Sequence, residues 1–345
     1  MIKAIKSLKD VEGITVSDDR ILHSATHEEI LQGATTDIYF AKSYEILGRM
    51  GLLETSVTVE IFTSKSGVAA GIDESLNLLS SKGVSVWSLN EGEEFAEKEV
   101  IMRVSGKYGD FGLYETVILG MLASASGWAT AARECRVAAG DRVVLCFGAR
   151  HVHPAVAPVM ERAAIVGGAS GASCILGAKL AGRSPLGTIP HAVILIVGDT
   201  VRVAEEYDAA MPPDSPRIVL VDTFHDEAYE ALRVAQALGN RLQGIRLDTP
   251  GERGGVTPGL VREVRARLDQ AGYSHVKVFV SGGLTPERIS ALAQAGADAF
   301  GVGSYISGAK PIDMTLDIKE VEGVPRAKRG RVPGITENPR LRRKL

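Results

Sequence analysis

The sequence predicts an α/β protein whose parallel sheet is either closed as a barrel or open, preceded by a separate α+β domain. Three observations predict it. Short apolar runs that end in a carboxylate, serine or glycine recur through the C-terminal half, and each leads into a stretch with helical spacing. Several of those stretches open on Thr-Pro or Asp and close on glycine, the expected start and stop signals. The runs begin at residues 217, 243, 275 and 299, and their spacing of 24 to 32 residues is that of one strand–helix unit.

Arg217–Asp222 (RIVLVD) is the first of these strands, followed by a helix over Asp226–Gly239 with Ala228, Leu232, Ala235 and Leu238 on one face. Gln243–Asp248 (QGIRLD) leads to a helix over Thr257–Gly272, and His275–Ser281 (HVKVFVS) to a helix over Pro286–Gly296. Ala299–Gly303 (AFGVG) is the next strand, and Arg142–Gly148 (RVVLCFG) an earlier one of the same kind. The Gly-, Ala- and Ser-rich segment Ile165–Gly187 suits close backbone packing. Ala192–Val197 (AVILIV) fits a buried strand or the start of a helix equally well, because a run this short has no readable period.

The first 110 residues lack that rhythm. A helix is expected over His27–Gly48, strands over Val57–Phe62, Val84–Asn90 and Val100–Val104, and a helix over Gly71–Ser80. Residues 1–110 therefore read as a separate α+β domain, and 111–309 as the α/β domain, entered through helices Gly112–Ala123 and Trp128–Ala138. The tail 310–345 is assigned to the first domain. From Lys319 onward it carries 9 Lys and Arg against 3 Glu and reads as a solvated strap.

Composition narrows the function classes. With 45% hydrophobic residues the chain is not disordered, and a net charge of −3 argues against a strongly basic nucleic-acid binder. Three cysteines (Cys135, Cys146, Cys174) without a CxxC make neither a disulfide framework nor a structural zinc site. The N-terminal MIKAIKSLKDVEG has no apolar core, and no apolar stretch approaches the roughly 20 residues of a membrane span, so a soluble cytoplasmic protein is expected.

In a parallel barrel the chemistry collects at the C-terminal ends of the strands. Those ends carry Arg150, Asp222, Arg246 with Asp248, Ser281-Gly282-Gly283 and Gly301-Val302-Gly303-Ser304. Two glycine turns on successive strands suit a phosphate monoester, whose oxygens can approach backbone N–H groups where no Cβ intervenes, with the next helix N-terminus behind. Asp222 and Asp248 can hold magnesium, accept ribose hydroxyls or stabilise positive charge; Arg246 and Asp248 can equally be an internal ion pair. Phe147 and Arg150 together suit a planar anionic ring. His151 and His153 form an HxH, the pattern of metal-dependent barrel hydrolases, but the later strand ends lack the further ligands, and a solvated or structural pair is favoured.

These motifs, taken in order, resemble one family. FGAR, GASCILGAKLAG, GTIPHAV, LVDTFHDEA, GIRLD, SGGLTPERI and ADAFGVGS are similar to the nicotinate phosphoribosyltransferases, of the type II phosphoribosyltransferase fold. TTDIY and EGEEF extend the similarity, which spans roughly Thr35 to Ser304, and the tail KEVEGVPRAKRGR is also similar to the family's C-terminal segment. The resemblance implies an incomplete parallel α/β barrel joined to a sandwich-like N-terminal domain. It implies transfer of the phosphoribosyl group of phosphoribosyl pyrophosphate to nicotinate, giving nicotinate mononucleotide and pyrophosphate in NAD biosynthesis, with magnesium and with ATP as a co-substrate.

Residue by residue, it implies that Phe147 stacks on the pyridine ring and that Arg150 meets a carboxylate or phosphate. Tyr39 would complete the stack from a neighbouring subunit, which requires a homodimer. Ser173, small and neutral, would favour the acid over the amide. Arg246 and Asp248 would hold the donor, and Ser281, Gly282, Gly283, Gly301, Gly303 and Ser304 its 5′-phosphate. His191 would accept a phosphoryl group from ATP. The chain departs from the family pattern at Pro190, at the apolar AVILIV after His191, and at Thr249-Pro250 after Asp248. Quinolinate phosphoribosyltransferase on the same architecture and a non-catalytic phosphate-ligand-binding barrel are the rivals.

Overall fold

The computed structural model describes residues 4–345. The chain divides into two compact units, one running to Ala129 together with Lys310–Leu345, the other Thr130–Ala309.

The first unit is built on a six-stranded antiparallel sheet. Ser56–Thr63 lies between Met314–Val321 and Val100–Lys107, and Ser85–Ser88 pairs with the far side of Val100–Lys107. Val59, Ile61, Ile101 and Val86 are fully buried, together with Leu79 from helix Ile72–Leu79. The tail earns its place in the sheet through charge as well as pairing. Lys328 and Arg331 meet Asp317, Arg340 meets Glu99 and Arg342 meets Glu93, so the basic strap is ion-paired at these points. Glu60, 1% exposed, holds Arg103 at 2.7 Å and the Thr336 N–H at 3.0 Å.

Two expectations for this unit need correction. The single helix over His27–Gly48 is two, His27–Gln32 and Ile38–Arg49. Gly33 breaks it at φ +86°, where a Cβ would come within 2.6 Å of Leu113; the first piece has its own Thr26/Glu29 capping box. Conversely, the two helices over 112–138 are one, Glu115–Ala139, because Ser124, Ser126 and Gly127 continue the helix instead of ending it.

The second unit is a six-stranded, wholly parallel sheet. Its strands, numbered within the unit, are β1 (Val143–Cys146), β2 (Gly171–Ala172), β3 (Ile218–Leu220), β4 (Gly244–Leu247), β5 (Lys277–Val280) and β6 (Ala299–Val302). The order is β2-β1-β6-β5-β4-β3. The end strands β2 and β3 do not pair, which leaves the barrel incomplete. Helices α1 (Ala157–Val166), α2 (Ile175–Leu180), α3 (His191–Val197), α4 (Thr200–Ala210), α5 (Glu227–Leu238), α6 (Pro258–Gln270) and α7 (Pro286–Gln294) follow in chain order. The Thr-Pro signals act as expected: Thr257 and Thr285 cap α6 and α7 by accepting the N–H of Leu260 and Arg288, with proline in the first helical position. Asp226 caps α5 in the same way. AVILIV resolves as helix α3, stopped by Gly198 at φ +86°.

Parallel register decides where the site lies. Val280 is opposite Leu247 and Phe300, and Val302 is opposite Cys146. The residues that follow β1, β4, β5 and β6 therefore emerge at one edge of the sheet.

Candidate active site

At that edge opens a cleft of about 370 Å³. Phe147, Arg150, Ser173, Arg246, Asp248, Ser281, Gly282, Gly283, Gly301, Gly303 and Ser304 all line it, so the structure brings eleven of the sequence-predicted residues to one surface. Neither Asp222 nor His191 is part of the wall, although Gly187–Pro190, immediately before His191, is. Tyr39 lies in the first unit, half exposed on helix Ile38–Arg49 with its ring 4.2 Å from that of Phe40.

Two glycines make room for two side chains. A Cβ on Gly301 would stand 2.4 Å from the Phe147 ring, and one on Gly303 would stand 2.6 Å from the His151 ring. These are close approaches that no other residue permits without movement. Gly282 and Gly283 serve differently: they take φ +89° and +57°, turning the backbone after β5. The helix after Gly303, Ser304–Ser307, is a single turn, too short to supply the helix-end charge expected there.

The charged groups form a chain. Asp248 accepts the Ser281 hydroxyl on Oδ1 at 2.8 Å and faces Arg246 Nη2 on Oδ2 at 3.5 Å. Arg246 also donates to the Thr188 hydroxyl, and its guanidinium carbon lies 6.0 Å from the Phe147 ring centre. Its buried Nε has no hydrogen-bond partner, and burial lowers its pKa from the usual value. Asp222, only 1% exposed, receives the Asp248 N–H on Oδ2 at 2.7 Å and His191 Nε2 on Oδ1 at 2.9 Å. Burial raises its pKa, opposed by those two hydrogen bonds.

This bears on magnesium. Both oxygens of Asp222 accept hydrogen bonds, and Asp248 bonds Ser281 and faces Arg246. Among the described residues no group of three or more His, Cys, Asp or Glu side chains can hold a metal. In the HxH, His151 Nδ1 meets the Ser307 hydroxyl at 3.2 Å, and His153 Nδ1 accepts the Ala155 N–H.

Sequence reasoning missed Thr188 and Glu161. Thr188 lies in an irregular segment, 58 residues from its partner Arg246; it belongs to the GTIPHAV motif, in which only His191 is given a role. Glu161 is fully buried in α1, where it accepts from Ala149 N–H, the Ser173 hydroxyl and Cys174 N–H. Its one signal is a carboxylate among the apolar residues of a short helix.

Comparison with known proteins identifies the family. Residues 37–126 match the quinolinate phosphoribosyl transferase N-terminal domain, and residues 128–317 match its C-terminal domain. The chain belongs to the quinolinate phosphoribosyltransferase domain family. Within that family of type II folds it is 31% identical, over 70% of its own length and 53% of the relative's, to nicotinate phosphoribosyltransferase pncB2 of Mycobacterium tuberculosis. It is 23% identical to the probable nicotinate-nucleotide pyrophosphorylase [carboxylating] of Methanothermobacter thermautotrophicus, over 77% of this chain and 89% of that protein. The crystal structure of nicotinate-nucleotide pyrophosphorylase from Pyrococcus furiosus superposes with a TM-score of 0.87 and 44% identity, covering 92% of this chain and 82% of that one. The chain spans about half the length of the nicotinate phosphoribosyltransferases it matches. Family membership is thus coarser than the resemblance read from the motifs: the fold family is shared, and the matching domains carry the quinolinate name.

Proposed function

We propose that the chain transfers the phosphoribosyl group of phosphoribosyl pyrophosphate to a pyridine carboxylate in NAD biosynthesis, and that the acceptor is nicotinate. The observation that carries the choice is the charge of the cleft. Its wall holds two guanidiniums, Arg150 and Arg246, and Arg246, bonded to Thr188 and facing Asp248, stands with the groups that suit the donor. That leaves Arg150 beside Phe147 for one acceptor carboxylate; quinolinate brings two. The M. tuberculosis relative supports the same choice by name.

The chemistry follows from these groups. The pyridine nitrogen carries its own lone pair and needs no general base, so the protein's task is to orient the ring, on Phe147, and to stabilise charge. The C1′–oxygen bond to pyrophosphate breaks as the C1′–nitrogen bond forms, and negative charge grows on the leaving group. Arg246 answers that charge, and Asp248 with Ser281 fits ribose hydroxyls. The turns at Ser281–Gly283 and Gly301–Ser304 suit the 5′-phosphate. Magnesium would arrive with the diphosphate, since it favours phosphate oxygens and water and asks at most Asp248 of the protein.

His191 fits the ATP-coupled step. With Asp222 accepting from Nε2, the lone pair stays on Nδ1, the nitrogen that attacks the γ-phosphorus of ATP as the bond to ADP breaks. The homodimer, with Tyr39 reaching a neighbour's cleft, belongs to the same proposal.

The comparisons lend more support to the alternative, quinolinate: both matching domains carry its name, the Methanothermobacter relative is called carboxylating, and the Pyrococcus furiosus structure at 44% identity is that of a nicotinate-nucleotide pyrophosphorylase. One experiment separates the two. The chain is incubated with labelled phosphoribosyl pyrophosphate, magnesium and either acid, with and without ATP. Mononucleotide from nicotinate alone supports the first reading; mononucleotide with release of CO₂ from quinolinate replaces it. Saturable donor binding without product from either acid leaves a phosphate-ligand-binding barrel.

A further inference from the structure

The two loops that carry Phe147, Arg150 and Ser173 are held together from beneath by one side chain. Glu161 lies on α1 with no exposed surface. Its Oε1 accepts the Ala149 N–H at 3.0 Å and the Ser173 hydroxyl at 3.1 Å, and its Oε2 accepts the Cys174 N–H at 2.5 Å. Ala149 sits between Phe147 and Arg150 on the loop after β1, whereas Ser173 and Cys174 form the loop between β2 and α2. A single carboxylate thus fixes the distance between the loop that carries the aromatic face and guanidinium and the loop opposite.

The packing around it is equally close. A Cβ on Gly148 would stand 2.7 Å from the Met160 methyl, and one on Gly177 would stand 3.1 Å from Glu161 Cβ. The two glycines let α1 approach the loop after β1 and helix α2, and Glu161 then bonds to the loop after β1 and to the loop that leads into α2. Burying a carboxylate is costly unless its lone pairs are met, and an apolar side chain would fill the same space without that cost. What the carboxylate adds is direction, because its acceptors fix where three donors must lie.

The bond to Ser173 has a consequence for the ligand. The carboxylate only accepts, so the Ser173 proton points at Glu161 and the hydroxyl can offer the cleft only lone pairs. Ser173 therefore has no donor to spare for an acid.

We propose that Glu161 is the positioning residue of the acceptor subsite: it sets the gap into which the pyridine carboxylate slides, and Ser173 acts as its tether rather than as the group that selects the acid. The inference rests on the transfer reaction proposed above. Its test is steady-state kinetics with each substrate varied in turn. Glu161→Gln keeps the shape but sets its NH₂ against either the Cys174 N–H or the Ala149 N–H, so at least one of the bonds that fix the gap is lost. The expected result is a KM for the pyridine acid raised about tenfold, with the KM for phosphoribosyl pyrophosphate within about twofold of wild type. Glu161→Asp, one methylene shorter, should show the same split to a smaller degree. Ser173→Ala, which leaves the Ala149 and Cys174 N–H groups on Glu161, should raise the acceptor KM by less than Glu161→Gln does.

Inactive wild-type protein would remove the transfer reading itself, before any variant is made. With active wild type, equal changes in both KM values, no change in either, or an acceptor effect from Ser173→Ala as large as that of Glu161→Gln overturns the positioning role. If both Glu161 variants unfold, the carboxylate holds the fold rather than the gap, and the inference is likewise overturned.

Discussion

His191 Nε2 lies 2.9 Å from Asp222 Oδ1, and the other oxygen of Asp222 holds the backbone N–H of Asp248 at 2.7 Å. The helix that starts at His191 is thereby tied to the strand end that faces the cleft, through a carboxylate that does not itself reach the cleft wall. Coupling between an ATP step and the donor site has a physical route in this arrangement, since a phosphoryl group on His191 would act on the carboxylate that positions Asp248.

Asp222→Asn and His191→Ala should each abolish ATP stimulation of mononucleotide formation, and the double variant should be no worse than either, as for residues that act as one unit. Rates measured with and without ATP decide it. Full ATP stimulation in His191→Ala would exclude a phosphohistidine.

Arg150→Ala and Asp248→Asn should each lower kcat/KM at least about tenfold, or about 1.4 kcal/mol of transition-state stabilisation. Arg150 should act mainly on the acceptor and Asp248 mainly on the donor. Wild-type values in both would displace the site from this edge of the sheet.

Gly301→Ala places a methyl 2.4 Å from the Phe147 ring, which must turn or shift. The acceptor KM should rise several-fold, whereas Gly251→Ala, where a Cβ meets nothing within 4 Å, should leave the kinetics unchanged. The pair is read in one assay.

Glu115 begins the long helix Glu115–Ala139, and burial pushes its pKa up to about 7, with Asp317 adding to the rise. The folded state therefore holds this proton more tightly than the unfolded chain, and stability is lost as pH climbs from the ordinary carboxylate range to about 7. Glu115→Gln removes that loss. Its Tm should exceed that of wild type at pH 8 and match it near pH 4, as thermal unfolding at both pH values would show.

Much of the second unit was legible because its signals are local. Thr257-Pro258 and Thr285-Pro286 announce helices in the positions the structure gives them, and Arg246, Asp248, Ser281 and Gly301 stand where strands run out. AVILIV was not legible. Seven residues of helix show no period, and only Ile194 of that run is buried while Ile196 is 83% exposed, so burial gives no pattern to read. Gly33 and Gly127 misled in opposite directions. Gly33 takes a left-handed turn and breaks a helix; Gly127 sits inside one because a Cβ there would be 2.4 Å from the Lys310 carbonyl oxygen. Both are glycines in helical surroundings, and only the neighbouring chain distinguishes them.

The sequence by itself determined the strand–helix order from Arg217 to Gly303, and with it most of the residues that a parallel register must bring to one edge. That follows from spacing and capping, which act over a few residues. The tertiary structure alone decided the partners: Asp222 with His191 across 31 positions, Arg246 with Thr188 across 58, and Glu161 beneath Ala149, Ser173 and Cys174. Hydrogen bonds depend on distance and direction in space, and no periodicity along the chain records which loop a buried carboxylate will face.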